Sequence, residues 1–193
     1  MAISKPFPYL PGSLQGHFLL SMPHMDDHNF DHTLTFICDH NEYGAMGIVV
    51  NRPTELSLGE LFNHLELTQE CKIQAPVYAG GPVQDDRGFI LHSPTERDWD
   101  SCYEINGQLT ITTSMDIMHA ISNNEGPEQY LVALGYAGWS AGQLEQELSD
   151  NVWLSCPANL DIIFNIPAEE RLQAAATTLG VNLNLMTSQS GHA

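Results

Sequence analysis

Basic side chains are scarce in this chain of 193 residues: six Lys and Arg stand against 24 Asp and Glu, a formal net charge of −18 at pH 7. Such a charge opposes approach to a phosphate backbone unless the cations are clustered. Lys5, Arg52, Lys72, Arg87, Arg97 and Arg171 are instead scattered, and no helix carrying several Arg, Lys, Asn and Gln side chains can be read from the pattern. Direct binding to duplex DNA is therefore disfavoured. The acidity reads first as a well-solvated surface and second as an attraction for a basic partner. Long hydrophobic runs are also missing, since none approaches the roughly 18 apolar residues needed to span a bilayer. Met1 to Leu20 holds one lysine, several prolines and no apolar core of the kind a secretory signal carries. A cytoplasmic protein with no membrane partner is expected. Cysteine is sparse: Cys38, Cys71, Cys102 and Cys156 lie far apart with no C-x-x-C pair, which removes the signal for a zinc ribbon or a thioredoxin-type motif. Free thiols are expected, with Cys38 acting as a small buried hydrophobe.

Catalytic signatures are missing too. Neither G-x-G-x-x-G nor G-x-x-x-x-G-K-[ST] occurs, so a nucleotide cofactor has no motif support, and the absence of a G-x-S-x-G elbow leaves a hydrolase triad unsupported. Ser114, His92 and Asp116 could be assembled into a triad only arbitrarily. No catalytic residue and no cofactor are assigned.

The residues that are present point to one domain. Prolines 6, 8 and 11 suit an extended arm over residues 1–11, followed by a single domain over 12–182 and a polar, loose tail over 183–193. Strands are expected at His17–Met22, Thr33–Cys38 and Met46–Asn51, the last stopped by Arg52-Pro53. Ser57 to Glu60 has capping-box spacing, and Leu58, Leu61, Phe62 and Leu65 follow at helical period, which predicts a short amphipathic helix over Leu58–Glu66. Short strands follow at Pro76–Ala79, Phe89–His92, Cys102–Ile105 and Leu109–Thr112. Ser114 is placed to cap a helix through Ile121, before a strand at Tyr130–Gly135. A helix over Ser140–Leu148, strands at Val152–Ser155 and Leu160–Phe164, and a helix from Pro167 ending near Gly180 complete the reading. Short hairpin-linked strands with segregated helices make this an α+β chain.

Three glycine-bearing segments stand out. They are Gly44-Ala45-Met46-Gly47 running into Asn51-Arg52-Pro53, Gly80-Gly81-Pro82-Val83 with Arg87-Gly88-Phe89-Ile90-Leu91-His92, and Leu134-Gly135-Tyr136-Ala137-Gly138-Trp139-Ser140-Ala141-Gly142-Gln143. In this order they closely resemble the AlgH/YqgE family of small bacterial proteins, from about Gly12 to the C-terminus. The resemblance implies a strongly bent, mostly antiparallel sheet folded into a partial barrel with flanking helices. It also carries a transcriptional-regulator label that rests on genetic association with alginate control and on no known chemistry.

Two readings of these segments remain open. The third segment looks like a strand-to-helix corner where Gly138, Trp139 and Gln143 could hold a carboxylate or phosphate at free helix amides, or where glycines simply permit close packing around a tryptophan plug. Asn51, Arg52, Arg87 and His92 sit at strand ends, where a scaffold presents ligand-contacting groups, and the two arginines could equally ion-pair with internal carboxylates. Thr113-Ser114-x-Asp116 resembles a family segment, with helix capping favoured over partner binding. His24, His28 and His32, four apart and flanked by Asp27 and Asp31, form the one metal-like cluster, set against an exposed loop after Pro23. The preferred functional expectation is a non-enzymatic regulatory or interaction protein with a protein partner. The alternative is a sensor or enzyme for a small anionic ligand at the glycine-rich corner.

Overall fold

The computed structural model describes residues 12–67 and 72–187; the expected arm, Cys71 and residues 188–193 lie outside them. The chain opens with an antiparallel meander of β1 (His17–Ser21), β2 (Leu34–Asn41) and β3 (Gly44–Val49). Alternation along β2 sends Leu34, Phe36 and Cys38 into one core and Ile37 into another, so this strand is covered on both faces.

The chain then passes through β4 (Pro53–Ser57), α1 (Leu58–His64), β5 (Pro76–Ala79), β6 (Val83–His92), β7 (Cys102–Ile105), β8 (Leu109–Thr112) and α2 (Met115–Ser122). It ends with β9 (Tyr130–Ser140), α3 (Gln143–Ser149), β10 (Trp153–Pro157), α4 (Leu160–Phe164), α5 (Ala168–Thr178) and α6 (Leu183–Thr187). The sheet runs β10-β1-β2-β3-β9-β6-β8-β7, with β4 joined to β5 and β5 to β9. Apart from the parallel β5–β9 pair, every ladder described is antiparallel.

The bend of this sheet is carried by β9. Residues Tyr130 to Tyr136 pair with β6, whereas Ala137 to Ser140 pair with β3, so one strand serves both halves of a curled half-barrel. Gly135 lies at the changeover with φ +76°, and a Cβ there would stand 2.2 Å from the Gly81 carbonyl oxygen. Gly81 in turn has φ +155°, and its Cβ would meet the Tyr136 backbone at 2.1 Å. Two backbones touch at this point, which only glycine allows. Helices α4 and α5 cover one face of the first half through Ile162, Ile163, Ala175 and Ala176 against Phe18, Phe36 and Ile48. Helices α1 and α2 cover the other half through Phe62, Ile117 and Ile121 against Val77, Ile90 and Val132. The result is one α+β domain, as expected.

Several boundaries differ from the expectations. Leu160–Phe164 is helix α4 and not a strand: the Asn159 side chain accepts from the Asp161 amide, and a five-residue apolar run carries no period that separates helix from strand. The third strand ends before Arg52-Pro53 as expected, at Val49, and the chain then resumes as β4, for which β5 is the one described pairing partner, an edge position where a missing N–H is tolerated. Strand β9 runs five residues beyond Gly135, and the helix after it begins at Gln143. Residues 183–187, expected within the loose tail, form α6 with Leu183 buried. The capping box of Ser57 and Glu60 is present in full, and Gly180 takes a left-handed conformation just past α5.

Candidate functional site

The first signature segment ends in two side chains that hold a loop. Asn51 accepts from the Leu34 amide at 2.8 Å and donates to the His32 carbonyl at 2.9 Å. Arg52 donates to the carbonyls of Asn29 (2.5 Å), His28 (3.1 Å) and Asp31 (2.6 Å). Together they staple residues 28–32 onto the end of β3. Phe30, inside that loop, lies 6.1 Å from Trp139 and 5.6 Å from Trp153, and the two indoles stand 6.0 Å apart. Glu147 on α3 accepts from both indole N–H groups, at 2.9 Å from Trp139 and 2.8 Å from Trp153. Gln143 donates to the same carboxylate at 2.9 Å and accepts from the Ser140 amide at 3.0 Å. Trp139 is thus a buried, fully bonded plug, and Arg52 reaches it through the loop.

The corner itself differs from the expected strand-to-helix junction. Because β9 continues to Ser140, no helix amide follows Gly138 directly, and α3 is only seven residues long. Gly138 is exposed, and a Cβ there would meet only the edge of the Tyr136 ring at 3.3 Å, so close backbone approach belongs to Gly135 and not to Gly138.

Arg87 and His92 lie in the other half of the sheet. Arg87 donates to Gln84 at 3.3 Å and to the Thr113 hydroxyl at 3.2 Å, and its guanidinium sits 5.6 Å from the Phe89 ring centre. Among the described residues neither Arg52 nor Arg87 forms an ion pair, so the expected internal carboxylate partners are replaced by carbonyls, a hydroxyl and a ring. His92 is 1% exposed. Its Nδ1 faces the Ser93 carbonyl at 2.7 Å and must donate, which leaves Nε2 to accept from the Thr112 hydroxyl at 2.8 Å. Burial pulls its pKa below the ordinary 6.5, and the imidazole is neutral.

Ser114 stands at the N-cap of α2 without capping it. Its hydroxyl accepts from the Ser101 amide and donates to Asp116 at 2.5 Å, while Asp116 accepts from the amides of Asp100 and Ile117. Partial burial opposes ionisation of Asp116, but these bonds prevail and hold the carboxyl below its usual range. The segment ties the β7 approach to α2. His24, His28 and His32 are not gathered: no group of three or more metal-ligating side chains occurs among the described residues, and His32 instead pairs with Asp31 at 2.5 Å.

Of the seven candidates, Asn51 lines a cavity of about 400 Å³ between the stapled loop and helices α5 and α6. Met22, Pro23, Leu172 and Leu183 supply its apolar wall, with Ser21, His32, Glu169, Gln173 and Asn184 as further polar lining. The sequence offered no sign of this site, because it is built by residues from the end of β1, the loop over residues 28–32, the end of β3, α5 and α6. Two other internal ties were also missed. Arg171, 6% exposed, donates to the carbonyls of Val50 and Ile166 and lies 5.1 Å from the Tyr78 ring centre. His40 accepts from the Leu14 amide through Nδ1 and donates through Nε2 to Glu145 at 2.8 Å.

A family profile described as AlgH-like matches residues 18–184. The chain belongs to the AlgH-like family. It is 53% identical over 186 residues to a UPF0301 protein of Pseudomonas putida strain W619, covering 95% of this chain and 97% of that one. A UPF0301 protein of Thioalkalivibrio sulfidiphilus is 52% identical over 177 residues, covering 91% and 95%. The solution structure of the AlgH protein from Pseudomonas aeruginosa superposes with a TM-score of 0.77 at 50% identity, over 100% of both chains. A Corynebacterium diphtheriae protein of 20% identity shares the fold with a TM-score of 0.71, over 96% and 94%. Among the described residues of this AlgH-like chain, no helix is long and apolar enough to cross a membrane.

Proposed function

We propose that this AlgH-like protein is a non-enzymatic regulatory or interaction protein of the cytoplasm, and that any effect on transcription passes through protein contacts. One observation supports the reading: the polar side chains of the signature segments, whether buried like His92 and Trp139 or exposed like Arg87 and Gln143, are engaged by the protein's own groups. Asn51 and Arg52 staple a loop, His92 is buried and neutral, and Trp139 and Gln143 share the Glu147 carboxylate. A nucleophile with an adjacent base, or an acid and base of opposed pKa, is not found among these groups.

The cations support the same reading. Arg52 and Arg171 donate to backbone carbonyls, while Arg87 and Arg97 lie over the rings of Phe89 and Trp99. Four of six basic side chains are therefore engaged within the fold of a chain whose formal charge is −18, which leaves little to neutralise phosphates. Fluorescence anisotropy of the purified protein with a labelled duplex at 50 mM salt tests this part. No saturable binding is expected up to tens of micromolar, and saturable binding that weakens as salt rises would overturn it. Reciprocal affinity capture from native cells should return a protein at fixed stoichiometry. Consumption of a metabolite by the purified protein in a cell extract, followed by mass spectrometry, would sink the non-enzymatic reading.

A further inference from the structure

We propose that the cavity between the stapled loop and α5 is a ligand site that takes a small amine bearing a neutral oxygen, of the amino-alcohol class. The reading does not depend on the regulatory one above. At about 400 Å³ the space falls within the range of small-molecule sites. Its wall is mixed in the manner of such sites: Met22, Pro23, Leu172 and Leu183 give an apolar body, with a few polar groups set among them.

Two polar groups decide the ligand class. Glu169, in the first turn of α5, has no hydrogen-bond or ion-pair partner among the described residues, so its carboxylate is open to a cation. Ser21 is 3% exposed; its oxygen accepts from the Thr33 amide at 2.8 Å, and its own hydroxyl hydrogen has no acceptor among the described residues. A buried donor of this kind is costly unless something accepts from it. The nearby guanidinium groups do not reverse this polarity. Arg52 gives its donors to carbonyls beneath the loop, and Arg171 turns inward to Val50 and Ile166. An ammonium therefore fits the Glu169 side, a hydroxyl or carbonyl oxygen fits Ser21, and a short methylene chain fits the apolar wall between. Among the described residues no Lys or Arg lines the cavity, so a carboxylate ligand would face Glu169 unopposed, which argues against an anionic occupant.

Titration of ¹⁵N-labelled protein at low salt with 5-amino-1-pentanol, 1-pentanol and 5-hydroxypentanoate tests the assignment. The amino alcohol should give saturable amide shifts centred on Met22, Asn51, Leu172 and Leu183, and the hydroxy acid should bind at least about fivefold more weakly. Glu169→Gln, at an exposed position, should weaken the amino alcohol by a similar factor and leave 1-pentanol unchanged. Leu172→Trp should remove binding by filling the space, with the far shifts of the spectrum reporting an intact fold. Equal binding of the acid and the amine, an unaltered affinity in Glu169→Gln, or unsaturable shifts spread over the acidic surface would each overturn the proposal.

Discussion

His92 shows how a residue that looks reactive in sequence becomes an internal bond in the fold. A histidine at a strand end is a plausible ligand or base, yet this one is enclosed, with both ring nitrogens partnered. Because burial lowers its folded pKa below 6.5, the unfolded chain binds the extra proton more readily. The stability it lends is thus complete above pH 6.5 and is lost as pH falls through the depressed folded value. Urea unfolding at intervals between pH 7.5 and 5 should show a falling free energy, and His92→Gln should flatten that part of the curve. Glu60, Asp116 and Glu145 also have lowered pKa values, so their contributions fail only on further acidification. An unchanged slope in His92→Gln would show that the ring is not what titrates. Arg171 belongs to the same class of residue. The sequence marks it only as one of six cations, and nothing local announces that it reaches across 121 positions to the Val50 carbonyl.

At the scale of elements, strong local chemistry was legible and long-range pairing was not. The capping box at Ser57 and the left-handed Gly180 were readable because each is settled within one turn of chain. Helix α4 was misread because Leu160–Phe164 is too short to show a period, and β9 was cut short because a glycine usually ends a strand. In β9 the glycine instead lets the strand change partners. Replacement by alanine at two glycines separates the causes. Gly135→Ala combines a φ of +76° with a 2.2 Å approach to the Gly81 oxygen, and should cost about 2–5 kcal/mol. Gly142→Ala has nearly the same φ, +75°, but nothing within 4 Å, and should cost about 1–2 kcal/mol. Urea midpoints of the two variants check this, and equal losses would mean that the backbone contact at the bend contributes nothing.

For the whole molecule, the sequence was sufficient to give the class, the single domain and the family, because hydrophobic alternation and the glycine segments survive as local patterns. The candidate site was legible only as a set of residues. Their arrangement depends on which strand β9 joins, and that pairing divides them: Asn51, Arg52, Trp139 and Gln143 gather around the loop over residues 28–32, whereas Arg87 and His92 lie with β6 and β8. The central claim is that these polar groups hold the bent sheet and its covering loop together. Residues kept for chemistry usually cost stability, so their removal leaves a protein equally or more stable, whereas removal of a structural tie weakens it. The deciding measurement is the urea unfolding free energy of Arg52→Met against the parent at pH 7. Loss of three charge-assisted bonds to the carbonyls of His28, Asn29 and Asp31 should lower it by about 1–3 kcal/mol, with an unchanged fold by circular dichroism. A variant as stable as the parent, or more stable, would contradict the account.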